Sequence, residues 1–316
     1  MSELALSVFA ARTGAHLVLP PNGRSWRDHL RHFDAGRYAA ELSARGLRFL
    51  PRSQFPSLLA AIHDPPPGLF LRGAADPAVL GRAAVAIVGA RACSGYGASV
   101  ARMLGRELAR AGLVVVSGMA RGVDAEAHRG ALDAGGTTVA VLGCGVDRDY
   151  PSAHRELAAR IAAGRGLVVS EYAPGVDPAP WRFPARNRII AGLCAATVVV
   201  EARSRSGALI TADLALEEGR EVFAVPGEIG SALSEGTNAL LKLGASPLTS
   251  PDDVLMSYGL EAAEEPDRAG LLGLLPATAD ELVRRTGRAA AEVSQALVEL
   301  ELAGRVVQHE GVYRVQ

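Results

Sequence analysis

Six short apolar runs, each closing in glycine or a polar turn, constrain this chain most: AVAIVGA (84–90), LVVVSGM (113–119), TTVAVLG (137–143), LVVSEY (167–172), ATVVVEA (196–202) and EVFAVPG (221–227). A strand with one face in water alternates apolar and polar residues. Nearly continuous Val, Ile and Ala runs belong to strands covered on both faces. Between them lie helical patterns: SVARMLGRELARAG (99–112), AEAHRGALDAGG (125–136), AHRELAARIAAG (153–164) and ALITADLALEEG (208–219). All four end at glycine, which stops a helix by entering the left-handed region without a Cβ clash. Repeated β–α alternation with right-handed crossovers predicts an α/β fold, a doubly wound, mostly parallel sheet.

The flanks read differently. Residues 1–75 carry short apolar patches broken by Pro and Gly, such as LPPNGRSW and FPSLLAAIHDPPPGLFLRG. They are expected to form a small helical domain or arm, SAM-like or truncated, ahead of a sheet domain over 76–260. EAAEEPDRAG (261–270) is charged and contains proline, as a linker does. Over 271–316 the pattern is helix, helix, long helix, then two short strands about Gly311, a winged-helix arrangement. Thr278 and Glu281 have the spacing of a capping box.

Bulk properties exclude several classes. The net charge is −1, so a polyanion site has to arise from local clustering. Three cysteines, Cys93, Cys144 and Cys194, lie far apart without CxxC spacing, which disfavours a disulfide framework or a metal site. The first residues lack a signal-peptide pattern, and no apolar run is long enough to span a membrane. A cytoplasmic protein without cofactor is the expectation.

Ligands of such sheets bind at the carboxyl ends of the strands. The first turn there, GARACSGYGAS (89–99), has the glycines of a phosphate loop, Gly89, Gly95 and Gly97. Arg91 occupies the place where a dinucleotide loop needs a bare glycine, and LVVVSGM does not end in a ribose-binding acid. Nor does the turn match GxxxxGK[ST]. NAD and P-loop chemistry are therefore disfavoured. A forked, permanently charged arginine at that turn suits a phosphodiester, and Ser94 can donate to the same phosphate. In SGMARGVDAEAH (117–128), Gly118 and Arg121 belong to the next loop along the edge. Asp124 and His128 stand four apart, and a helix-stabilising contact accounts for them better than an acid–base pair.

PWRFPARNRIIAGLCAATVVVEARSRS (180–206) is the densest stretch. Arginines 182, 186, 188, 203 and 205 oppose one acid, Glu201, a local charge of +4. Trp181 and Phe183 interleave with Arg182 and Arg186, the pattern of a platform on which bases stack while arginines follow the backbone. Asn187 can read a base edge or cap a helix. RSGALITAD (205–213), with Ser206, and PGEIGSALSEGTN (226–238) add polar loops to the same edge.

In order and spacing, these stretches resemble the DprA/Smf family, the DNA-processing proteins of bacterial natural transformation. The resemblance rests on AIVGARACSGYG (86–97), SGMARGVDAEAHRGAL (117–132), AVLGCGVDRDYP (140–151), SEYAPG (170–175), FPARNRIIAGL (183–193), VVVEARSRSGALITADLALEEGR (198–220), FAVPG (223–227) and GTNALLKLGA (236–245). It implies an extended Rossmann domain, a small N-terminal helical domain and a C-terminal winged helix. It also implies a homodimer that binds and shields single-stranded DNA and helps load a RecA-type recombinase, with no catalytic activity. Arg91 matches the arginine of the family's GSR-type turn, where Ala90 replaces the usual Ser. Phe183, Arg186, Asn187 and Arg188 match the family's FPxRNR segment along the crevice.

A second reading is a nucleotide-processing enzyme of the phosphoribohydrolase (lysine-decarboxylase-like) type, whose sheet is similar. Its PGGxGTxxE signature is not matched, because PGEIGS lacks the second Gly and the GTxxE portion. In the tail, AAAEVSQALVELELAG carries Glu292, Glu299 and Glu301 without a basic residue, and residues 267–316 hold six arginines against seven acids. Phosphate attraction is poor there, so the tail is expected to serve protein contact or regulation rather than strong DNA binding.

Overall fold

The computed structural model describes residues 3–14, 20–261, 270–302, 305–309 and 311–315. The chain starts with helices α1 (Glu3–Thr13), α2 (Arg24–His32) and α3 (Ala35–Ala44), then strand β1 (Leu47–Pro51), the short α4 (Ser57–Ala60) and strand β2 (Gly68–Arg72). The β–α series follows: β3 (Ala84–Val88), α5 (Gly95–Arg110), β4 (Val114–Ser117), α6 (Val123–Asp133), β5 (Thr138–Val141), α7 (Arg155–Ala163), β6 (Leu167–Ser170), α8 (Arg182–Gly192), β7 (Ala196–Val199), α9 (Gly207–Glu217), β8 (Glu221–Ala224), α10 (Glu235–Lys242), β9 (Ser246–Pro247) and α11 (Pro251–Ser257). All six apolar runs are strands. At the helix ends Gly112, Gly135 and Gly219 take positive φ as expected, whereas Gly164 ends α7 at φ −89°.

The nine strands form one sheet in the order β1-β2-β6-β5-β4-β3-β7-β8-β9. From β6 to β9 every pair is parallel; β1 with β2 and β2 with β6 are antiparallel. Residues 1–75, read above as helical, thus also contribute two strands. LRFLP and GLFLR are short and sit beside prolines, so their periodicity was too brief to separate them from loop.

Strand residues alternate between two cores, as a period of two requires. Ala84, Ala86 and Val88 join Val114, Val116, Val139 and Val141 on one face. Val85, Ile87 and Val115 face α5 and α6 on the other. Phe70, Ala140 and Val168 extend that second face and receive Leu4 and Val8 of α1 and Leu42 of α3. The N-terminal helices therefore share a core with the sheet.

Residues 263–316 form a second compact unit, and the expected linker at 261–270 lies mostly outside the described residues. Within this unit, β10 (Ala277–Thr278), α12 (Ala279–Thr286), α13 (Ala290–Leu302), β11 (Val306–His309) and β12 (Val312–Val315) enclose a core of Leu271, Ala277, Leu282, Val293, Leu297, Leu300 and Val306. The strand order is β10-β12-β11, giving the winged-helix hairpin. The capping box forms: Glu281 N–H donates to Thr278 Oγ1 (3.3 Å) and Thr278 N–H to Glu281 Oε2 (2.8 Å). The first of the three expected helices is only a 3₁₀ turn, Leu272–Leu274, because Pro276 follows too closely to extend it.

Helices α5 and α6 touch backbone to backbone. A Cβ on Gly130 would lie 2.0 Å from the Arg102 carbonyl oxygen, and one on Gly105 2.2 Å from that of Ala127. Alanine normally stabilises a helix interior over glycine by roughly 0.5–1 kcal/mol. Here the clash reverses the sign: Gly130→Ala is expected to lower stability by about 1–3 kcal/mol, read as a drop in the urea midpoint. A raised midpoint would show that the helices part freely.

Candidate nucleic-acid interface

After β6 the chain crosses to β7, on the other side of β3, so the carboxyl ends of β3 and β7 form the topological switch point. The turn after β3 is clamped by the turn after β7: Ala90 N–H donates to the Glu201 carbonyl (2.7 Å), and a Cβ on Gly97 would lie 2.4 Å from the Glu201 carboxylate. Glu201 is buried, and its carboxylate accepts from Ser94 N–H (2.8 Å) and Ser94 Oγ (2.5 Å). Ser94 Oγ in turn accepts from Gly97 N–H (3.0 Å), capping α5. The anion at this helix N-terminus is thus the protein's own carboxylate. Ser94, expected to meet a phosphate, has its hydroxyl engaged by Glu201 and Gly97 N–H, and lines a separate cavity of about 550 Å³ with Tyr96 and Glu228.

On the other side of the turn a cavity of about 200 Å³ is bordered by Gly89, Arg91, Asp124, Phe183, Arg186 and Asn187. Ser206 borders it too and caps α9 by accepting from Ala208 N–H (3.3 Å). Arg91 is exposed, with its guanidinium carbon 5.4 Å from the Phe183 ring centroid and no ion pair among the described residues. Arg121 is likewise exposed in the neighbouring turn. That turn is pressed against Arg91, since a Cβ on Gly122 would lie 2.4 Å from the Ala90 carbonyl oxygen.

Arg186 forms the cavity's inner wall. It is 5% exposed and donates to the carbonyls of Gly118 (2.8 Å) and Val141. Gly118 lets that guanidinium come close, since a Cβ there would lie 2.4 Å from it and the arginine end would have to shift. Asn187 accepts from Arg186 Nε (3.3 Å) and donates to the Gly207 carbonyl (3.2 Å), tying α8 to the start of α9. Burial lowers the pKa of Arg186 to about 10, against the attraction of Asp124, so it stays cationic at neutral pH. Asp124 accepts from Gly118 N–H (3.1 Å) and Ala120 N–H (3.2 Å). Its pKa is raised chiefly by burial, opposed by Arg186 and these amides.

Arg188 does not join the cavity. It makes a two-pronged pair with Glu171 (2.7 and 2.8 Å) and donates through Nε to the Asp64 carbonyl (2.8 Å). Arg188→Ala would leave the 7%-exposed Glu171 charge uncompensated, and is expected to lower stability by about 3–5 kcal/mol in urea denaturation. An unchanged midpoint would contradict that role.

Tyr150 was not singled out from the sequence. It is 43% exposed and its ring stacks on Phe183, centroids 5.4 Å apart at 28°. Its only sequence signal is an aromatic within the charged run DRDYP. Beside them, Arg182 lies over the rings of Trp181 (4.9 Å) and Tyr172 (5.1 Å).

His128 and Asp124 do not form a pair. His128 is wholly buried and its Nδ1 lies 2.6 Å from Thr138 Oγ1. Thr138 gives its own proton to the Val115 carbonyl, so Nδ1–H is the donor, and the unprotonated Nε2 has no hydrogen-bond partner among the described residues. Burial, with His154, Arg186 and Arg129 nearby, lowers the His128 pKa to about 3. The unfolded chain takes up this proton near pH 6.5 and the native state refuses it. Stability therefore falls as pH drops between those values. Acidification from pH 7 to 5 is expected to remove about 2 kcal/mol through this group. His128→Gln should flatten the pH dependence of the urea midpoint by that amount; an unchanged slope would reject the assignment.

The family model described as DNA recombination-mediator protein A matches residues 47–259, and that of the DprA winged helix domain matches 258–312. DNA processing protein DprA of Streptococcus pneumoniae is 48% identical over 204 residues, covering 65% of this chain and 71% of that protein. Protein Smf of Escherichia coli is 40% identical over 279 residues, 82% of this chain and 74% of Smf. Among solved structures, the X-ray structure of DprA from S. pneumoniae superposes with a TM-score of 0.69 at 37% identity, covering 83% of this chain and 94% of that one. DNA processing protein A from Helicobacter pylori, a structure described as giving insight into a unique single-stranded DNA binding mode, superposes at 0.61 with 31% identity, covering 67% and 95%.

Proposed function

The chain belongs to the DNA recombination-mediator protein A family, DprA/Smf, and from that premise we propose that it binds and protects single-stranded DNA along the carboxyl edge of its sheet. The observation that carries this reading is Arg91, exposed over Phe183 at the mouth of the switch-point cavity and without an ion pair among the described residues. An exposed guanidinium held over an aromatic ring is a phosphate contact in a preset position. Arg91 and Arg121 are the direct phosphate contacts in this reading, with Phe183 supporting Arg91 from below. Gly118, Arg186, Asn187 and Ser206 shape the wall behind them, and Ser94 and Arg188 support the turn and α8. The structural relative from H. pylori, described by its single-stranded DNA binding mode, supports the same substrate.

The phosphoribohydrolase reading is not favoured. The cavity's acid, Asp124, is held by two backbone amides and faces Arg186, an arrangement for positioning rather than for attack on a ribose. Loading of a RecA-type recombinase, homodimer formation and a cytoplasmic role in transformation complete the proposal. Exposed Ile210, Leu216 and Leu243 are the kind of side chains a protein partner covers. No helix among the described residues is long and apolar enough to cross a membrane.

Binding of a fluorescent oligo-dT across a salt series tests the reading. The full chain is expected to bind with a log–log salt slope that flattens by about 0.7 in Arg91→Ala, one phosphate contact in a single strand. Salt-independent or absent binding by the wild type would reject it.

A further inference from the structure

Phe183 is the aromatic that the sequence points to as the stacking platform, yet its ring is already occupied. The Arg91 guanidinium lies 5.4 Å from its centroid and the Tyr150 ring also 5.4 Å. Beneath, the ring presses on Gly143, where a Cβ would come within 2.9 Å of Phe183 Cδ1. A base seated on Phe183 would have to displace one of these neighbours. Tyr150 is the outer member of the stack, and 43% of it is open to solvent.

Its backbone is pinned. The preceding residue, Asp149, pairs with Arg72 (3.0 Å) and Arg155 (3.4 Å). Two residues further back, Asp147 pairs with Arg45 (2.6 Å) and accepts from Gly175 N–H (2.8 Å). Pro151 follows, and its carbonyl accepts from His154 N–H (2.9 Å) at the start of α7. A solvent-facing ring held this firmly loses little side-chain freedom when something settles on it.

We infer that Tyr150 is the face on which a base of the bound single strand stacks, Phe183 serving as the inner support of that stack and Arg91 as the nearby phosphate contact. This rests on the single-stranded DNA reading above. Because every base has a π-face, the site takes any base, and the strand is held without sequence selection.

Binding of the full chain to oligo-dT, and to an abasic oligomer of the same length, tests it. Tyr150→Ala is expected to bind oligo-dT about tenfold more weakly, with the salt slope unchanged. Tyr150→Phe, which keeps the ring and the fold, should bind as the wild type does. On the abasic oligomer the difference between wild type and Tyr150→Ala should vanish. Undiminished oligo-dT binding by Tyr150→Ala, or an equal loss on both oligomers, overturns the inference while leaving the Arg91 site standing. Failure of the wild type to bind oligo-dT removes both.

Discussion

The guanidinium of Arg186 lies buried under the crevice and donates to the carbonyls of Gly118 and Val141, just past the end of β4 and at the end of β5. Taking a charge out of water is unfavourable by several kcal/mol unless its donors are satisfied. Here two carbonyls, the Asn187 side chain and the charge of Asp124 offset it. The arrangement in turn dictates its neighbours. A side chain at Gly118 would push the guanidinium aside, Asp124 holds the Gly118 and Ala120 amides, and α8 is anchored across the strand ends. The cavity exists because this buried cation keeps its inner wall in place.

Glu201 divides the same edge from the other side. Bound to Ser94, it fills the anion position of α5 and separates the small cavity at Arg91 from the larger one at Tyr96. A dinucleotide pyrophosphate would meet a carboxylate where it needs amides. This explains in physical terms why a glycine-rich turn of nucleotide-binding shape does not make a nucleotide site.

The parallel strands β3 to β8 were legible in the sequence, because burial on both faces leaves runs of Val, Ile and Ala that nothing else in the chain imitates. Strands β1 and β2 were not, since five residues beside proline carry too little period, and β9 has only two. At the site, glycines and arginines marked the correct edge, but not which arginines face outward. Arg186 and Arg188 are two apart on α8 and both are buried, one against carbonyls and one against Glu171. Their partners come from distant segments, and charge alone does not reveal them. Tyr150 was missed because its significance lies in a contact with Phe183, 33 positions later.

In the proposed reading, the placement of the arginines sets how the edge would hold a polyanion. The local charge of +4 over 180–206 is not all available, since Arg186 and Arg188 are spent inside the protein. Arg91, Arg121, Arg203 and Arg205 remain exposed without ion pairs among the described residues. If all four met phosphates, the single-strand salt slope would be about −3. That is a modest electrostatic contribution for a chain of net charge −1. In the proposed reading, affinity at physiological salt would then come in good part from stacking, which salt does not screen. Tyr150, exposed and backed by Phe183, is the ring placed to supply that contribution in the proposed reading.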